Sequence, residues 1–169
     1  PPKDLAALQL NLIRSHACGI GESMSIQDTR AMMCVRANSL VKGHSGVRRV
    51  IIEQIVTFLN EDIIPVIPRI GSLGASGDLA PLSHMALALV GEGEVWGPDG
   101  PQSTSMMLRE KGLIGIDLSA KEGLSLINGT SQMCSFMVNA DIMLENLLTI
   151  ADLIAVSYTH LTLPTIAGV

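Results

Sequence analysis

An apolar stripe at helical spacing constrains this chain most: Met133, Phe136, Met137, Ala140, Leu144, Leu147, Leu148, Ala151 and Ile154. Recurrence at three and four residues over about six turns suits an α-helix and no strand. One helix cannot cover its own stripe, so the chain must belong to a helical assembly. The surrounding stretch, Cys134 to Val156, is the most apolar of the chain, yet it carries Asn139, Asp141, Glu145, Asn146 and Asp152. A bilayer would penalise these together by several kcal/mol, so the expectation is a buried helix of a soluble protein and no membrane partner. Thr130 stands where it would cap this helix.

The same period recurs upstream. Leu5, Leu8, Leu12 and Ile13 form one stripe, and Val47, Ile51, Ile55, Phe58 and Leu59 another. Gln27 to Val41 reads as helical and closes at Gly43. Asp78 is placed to N-cap a helix bearing Leu79, Leu82, Ala86 and Leu89 that stops at Gly91, with Pro81 harmless in its first turn. Ser119 and Glu122 have the spacing of a capping box. The fold class is therefore mainly α. Glu92 to Gln102 breaks the pattern with Val95-Trp96 and a Pro98-Asp99-Gly100 turn, which predicts a small hairpin or irregular loop. After Ala155 the helical period fails, and Tyr158 to Leu163 alternates as a strand would before Pro164.

A length of 169 residues with 47% hydrophobic and 16% charged residues supports a sizeable core and excludes a disordered chain. Net charge −5, no basic run and only Phe58, Trp96, Phe136 and Tyr158 as aromatics leave nucleic acid neither an electrostatic footprint nor a stacking platform. Cys18, Cys34 and Cys134 are widely spaced, which predicts buried, reduced thiols in a cytoplasmic protein. Met32, Met33, Met106, Met107, Met133, Met137 and Met143 are expected in core packing. No His, Cys, Asp or Glu group has ligand spacing, so no metal is expected. The chain opens Pro1-Pro2-Lys3-Asp4 without an initiator Met or an apolar leader, and reads as a fragment.

The most unusual segment is Gly71-Ser72-Leu73-Gly74-Ala75-Ser76-Gly77-Asp78-Leu79-Ala80-Pro81-Leu82, where small residues lead directly into a helix. It lacks the Lys of a phosphate-binding loop and the GxSxG spacing of a nucleophile elbow. By composition alone it would be a glycine-rich helix entry. Gly74 to His84, however, resembles the signature of the aromatic amino acid ammonia-lyase family, nearest its histidine-specific members. The resemblance implies a helical bundle of the ammonia-lyase and fumarase-like type. It also implies that Ala75, Ser76 and Gly77 cyclise unaided into a 4-methylideneimidazol-5-one (MIO) ring. The residue types suit that reaction. The Gly77 nitrogen must reach the Ala75 carbonyl carbon, an approach that side chains would obstruct. Loss of water from Ser76 then leaves a methylene conjugated to a carbonyl, an electrophile among side chains that otherwise offer nucleophiles and acids. The following helix start puts positive dipole beside an oxygen that gains negative charge.

Two further segments carry the resemblance. Glu122 to Thr130 is similar to the family's second signature, which implies that Asn128 hydrogen-bonds the ring; an amide can donate to a developing enolate without ionising. The plain alternative is an Asn that caps the turn at Gly129. Ser15-His16-Ala17-Cys18-Gly19-Ile20-Gly21 resembles the substrate-side segment, and Ser-His there implies that His16 faces the side chain of a histidine substrate. Without the resemblance, His16 would read as a structural residue at a helix end. His44 and His84 read as turn and helix residues, and Arg36 to Leu40 with Gly43 to Arg48 as scaffold.

The resemblance runs from about Leu8 to Ala155, within a domain taken as residues 1–155. Residues 156–169 have no family counterpart and are expected to be a foreign tail. The family's catalytic Tyr and carboxylate-binding Arg would lie outside the chain. What is implied is part of a homotetrameric enzyme that removes ammonia from L-histidine to give trans-urocanate. The alternatives are a phenylalanine or tyrosine lyase, an aminomutase, or, for the isolated chain, a non-catalytic helical fragment or assembly module.

Overall fold

The computed structural model describes residues 2–74 and 77–166. The chain divides into two compact units, residues 1–135 and 136–169. In the first, α1 (Pro2–His16), α2 (Ile26–Val41), α3 (Arg49–Asn60), α4 (Leu79–Leu89), α5 (Thr104–Glu110) and α6 (Glu122–Ile127) alternate with four short strands, and α7 (Ser131–Ile166) begins there. The fold is mainly α, as expected from the stripes.

Helix α4 is the centre of the first unit, packed against α1 and α6. Ala80, Leu82, Ser83, Met85, Ala86, Ala88 and Leu89 are all buried, so this helix is enclosed on most of its circumference. Helix α2 buries Thr29, Met32, Met33, Arg36, Ala37 and Leu40 at successive three- and four-residue steps, and α3 packs on it through Ile51, Ile55 and Phe58. Ser25 caps α2 by accepting the Asp28 N–H at 3.0 Å. The predicted insertion is a hairpin of β3 (Glu94–Gly97) and β4 (Gly100–Ser103), closed by Pro98-Asp99, with Val95 buried. Strands β1 (Ile20–Ser23) and β2 (Pro68–Ile70) pair antiparallel, Ile20 with Ile70 and Ser23 with Pro68, and were not foreseen. Their pairing sets the segment after His16 beside the entry to the glycine-rich loop.

Several sequence readings are corrected. Helix α1 buries Gln9 and Ile13, while Leu5 and Leu8 are exposed. The Gln9 amide is needed inside, where its Oε1 accepts the Gly123 N–H at 3.0 Å. All three cysteines are exposed and free, on the loop after α1 and on outward positions of α2 and α7. Met32, Met33 and Met107 are core residues, whereas Met106, Met133, Met137 and Met143 are exposed. The Tyr158–Leu163 alternation does not make a strand, because α7 continues to Ile166. Each residue added to a formed helix gains a backbone hydrogen bond, whereas a strand without a partner gains none. Thr159 Oγ1 and His160 Nδ1 bond back to the carbonyls of Ala155 and Val156. In the second unit the stripe expected to be buried is exposed within this single chain: Met137, Leu144, Leu147, Leu148 and Ile154 all face out. Among the described residues no helix is long and apolar enough to cross a membrane.

Candidate active site

The glycine-rich loop closes on itself on both sides of the triplet. Gly77 N–H donates to the Gly74 carbonyl and Leu73 N–H to the Gly77 carbonyl, each at 3.3 Å. Ala75 and Ser76 lie outside the described residues; Gly77, the third member, is buried at φ +74°. That backbone region favours glycine. A Cβ on Gly77 would also lie 2.9 Å from the Gly129 carbonyl oxygen and 3.0 Å from Thr130 Cγ2. Gly77 pairs with Gly129 in a parallel bridge, and Asp78 N–H donates to the Gly129 carbonyl at 3.0 Å. The two signature segments are thereby brought into contact.

Asp78 precedes α4 as expected, but its side chain does not cap that helix. Its Oδ2 instead accepts the N–H groups of Gln132 at 2.6 Å and Met133 at 3.1 Å, capping α7. This assigns to Asp78 the role expected of Thr130, whose backbone carbonyl accepts the Cys134 N–H at 3.0 Å. A fully buried carboxylate gains more from two orphan N–H groups at the positive end of a long helix than an exposed threonine hydroxyl would. Asp78 Oδ1 has no partner among the described residues.

Asn128 ends α6, with its N–H on the Leu124 carbonyl at 3.0 Å and its side chain exposed. Its own carbonyl accepts Arg36 Nη2 at 3.0 Å, and the same nitrogen donates to the Ser125 carbonyl. At the other end of α6, Glu122 is buried and receives Arg48 Nε and Nη2 at 2.8 Å, Arg48 N–H at 3.0 Å and Ser119 N–H at 2.6 Å. The last is the Glu half of the predicted capping box. Burial alone would raise the Glu122 pKa, but the bonds from Arg48 and from the two backbone N–H groups outweigh it and hold the carboxyl below its ordinary range. Reading the Arg36 to Arg48 stretch as polar scaffold holds, since both arginines tie α6 to the α2–α3 region.

His16 is half-buried at the end of α1, where its Nδ1 bonds to the Leu12 carbonyl at 2.9 Å. No hydrogen bond among the described residues joins it to Gly77 or Asn128. His84, read from sequence as an ordinary helix residue, does more: its Nε2 accepts the Gly19 N–H at 3.2 Å and so ties the segment after His16 to α4. An accepting Nε2 requires the neutral ring with its proton on Nδ1. Burial lowers the His84 pKa and favours that neutral form. The available signal was an imidazole on the central helix, seven residues after Gly77. Among the described residues there is no cluster of three metal-ligating side chains.

The left-handed glycine that enters the central helix, and the second turn locked across it, lie in the part of the chain that matches the aromatic amino acid lyases. The chain belongs to that family, whose profile matches residues 1–165. It is 54% identical over 145 residues to the histidine ammonia-lyase of Bacillus subtilis, covering 86% of this chain and 28% of that one. The histidine ammonia-lyase structure from Trypanosoma cruzi superposes with TM-score 0.73 at 42% identity, over 80% of this chain and 27% of the other. The tyrosine aminomutase structure from Streptomyces globisporus gives TM-score 0.73 at 46% identity, over 79% and 25%. The chain thus spans less than a third of the length of such relatives.

Proposed function

We propose that this chain is the ring-bearing part of a histidine ammonia-lyase, a carbon–nitrogen lyase that removes ammonia from L-histidine to give trans-urocanate. The observation that carries the reading is Gly77, held at φ +74° against Gly129 in a space too small for a Cβ, directly after Ala75-Ser76. Residue types and backbone geometry suit cyclisation of Ala75-Ser76-Gly77 to MIO, because the one position that must bring its nitrogen onto a carbonyl carbon carries no side chain. Once formed, the ring supplies an electrophilic methylene. The chain's own residues have three tasks. Asn128 donates a hydrogen bond to the ring without ionising. The start of α4 directs its positive end at the same place. His16 meets the imidazole of the substrate, with its tautomer set by the Leu12 carbonyl. The base and the carboxylate-binding cation belong to segments beyond these residues, the exposed stripe of α7 supports its packing against further helices, and the whole protein is read as a cytoplasmic homotetramer.

The test is intact mass. Folded chain should be lighter than its sequence by two waters, about 36 Da, one from cyclisation and one from Ser76. Ser76→Ala should carry no such deficit, and an unshifted mass in well-folded wild-type chain refutes the reading. Likeness to the Streptomyces enzyme favours one second reading, a tyrosine aminomutase. In the completed protein the substrate consumed decides between them, histidine for the lyase and tyrosine for the aminomutase, and His16→Leu tests the part that His16 plays. The lyase predicts a larger loss of kcat/KM for histidine than for phenylalanine, and equal losses would make His16 structural.

A further inference from the structure

Arg36 stands in α2, outside both signature segments, and is only 3% exposed. Its Nη2 holds the Ser125 and Asn128 carbonyls across 89 and 92 residues of chain. These oxygens lie at the C-terminal end of α6, where carbonyls lack intrahelical donors and carry the negative end of the helix dipole. A buried guanidinium suits that place because its planar fork donates in fixed directions and keeps its charge when desolvated. Its Nη1 occupies the space that a Cβ on Gly129 would need, with Cζ 3.3 Å from that point. Gly129 is not in the left-handed region, so it is the Arg36 guanidinium, held by its two carbonyl bonds, and not the local backbone that crowds a side chain there. On its other side, the Gly129 carbonyl receives Asp78 N–H and meets Gly77. Arg36, Gly129 and Gly77 form a stack in which each member leaves no room for a side chain on the next.

We propose that Arg36 is a positioning residue of the ring-forming site: from α2 it fixes the Asn128–Gly129 backbone and, through the Gly129 carbonyl, the register of Gly77 and Asp78 on which closure of the triplet depends. This rests on the ring-forming reading above and adds to it a residue that neither signature contains. It also accounts for why Gly129 carries no side chain.

The test is a double-mutant cycle on the full 169-residue chain with two readouts. Amide exchange at Asp78 reports the bond to Gly129 whether or not the ring forms. In Arg36→Met it should quicken at least tenfold while amides in the middle of α3 keep their protection, and Arg36→Lys should fall between. Gly129→Ala should quicken it as much in the wild-type background and add little in Arg36→Met, because the obstructing guanidinium is gone. Where Arg36→Met does not fold, Arg36→Lys and Gly129→Ala give the same comparison. Unchanged Asp78 exchange in the Arg36 variants, or strictly additive effects in the cycle, overturns the proposal. The second readout is the two-water deficit. Arg36→Met should acquire it at least tenfold more slowly than wild type per folded molecule, and an equal rate also overturns the proposal. A wild-type chain that never loses water refutes ring formation and with it the positioning role, even if Asp78 exchange confirms the stack.

Discussion

The two ends of α6 are each held by an arginine, and the two bonds differ in kind. At the N-terminal end Arg48, half-exposed, meets the buried carboxylate of Glu122; at the C-terminal end Arg36, buried, meets only carbonyl oxygens. Both signs suit the helix dipole. The first bond is a charge pair whose strength follows the protonation of Glu122, whereas the second has no partner that titrates. Acid should therefore loosen one end of the turn that carries Asn128 and spare the other.

The largest effect should come from breaking the charged end. Arg48→Met leaves the Glu122 carboxylate buried with backbone donors alone, and should cost about 2–3 kcal/mol at pH 7 by urea unfolding. That is less than the roughly 3–5 kcal/mol of a broken fully buried pair, because Arg48 is half-exposed and water already replaces part of its contribution. A loss no larger than that of a surface substitution would show that the pair is solvated. Next in size is the acid limb of the wild-type chain. The folded pKa of Glu122 lies below its ordinary value of about 4.5, so its contribution is present above that value and is lost as pH falls through the folded one. Urea midpoints measured from pH 6 to pH 3 should show this limb unchanged in Arg36→Met and flattened in Arg48→Met. Equal flattening in both would erase the distinction between the two ends.

His84 tests whether a third tie behaves as the charged end or as the neutral one. His84→Leu strands the Gly19 N–H and should cost about 1 kcal/mol. The folded pKa is lowered, so this contribution is present above the ordinary value of 6.5 and is lost as pH falls from there towards the folded one. The protection factor of the Gly19 amide, its exchange rate corrected for the intrinsic pH dependence, should thus fall on mild acidification in wild type and lose that response in the variant. The smallest effect belongs to the Arg14–Glu92 pair, which joins α1 to the loop before β3 at the surface. Arg14→Ala should leave the thermal midpoint within error, and a clear drop would mean that this pair is better shielded than its exposure implies.

What the sequence disclosed divides along similar lines. Helices α2, α3 and α4 were legible because their buried positions recur within a few residues, and the hairpin because Pro98-Asp99-Gly100 forces a turn locally. The glycine-rich loop stood out by composition, and its signature led to the family. The groups that assemble the site were not legible, since each acts at long range. Asp78 looks like the cap of the helix it precedes, and nothing nearby reveals that its carboxylate serves Gln132, 54 residues on. Arg36 and His84 find backbone partners 92 and 65 residues away, and a backbone partner leaves no trace in residue identity. Gln9 reversed the reading of α1 for the same reason: its amide answers an N–H of Gly123, a demand invisible from positions 1–16. The last turns of α7 failed in the opposite sense, where a convincing local alternation yielded to a helix already under way.

The cap that Asp78 places on α7 also has a consequence for synthesis. Its two donors, Gln132 and Met133, are 54 and 55 residues further along the chain. At about 5–20 residues per second, a ribosome adds them roughly 3–11 s after Asp78. Through that interval the glycine-rich loop has neither the Gly129 carbonyl nor the α7 N-terminus to close against, and Ala75-Ser76-Gly77 must travel as ordinary peptide. On the ring-forming proposal, chemistry at the triplet waits for residues 129–133, and a nascent chain arrested before them should keep the mass of its uncyclised sequence.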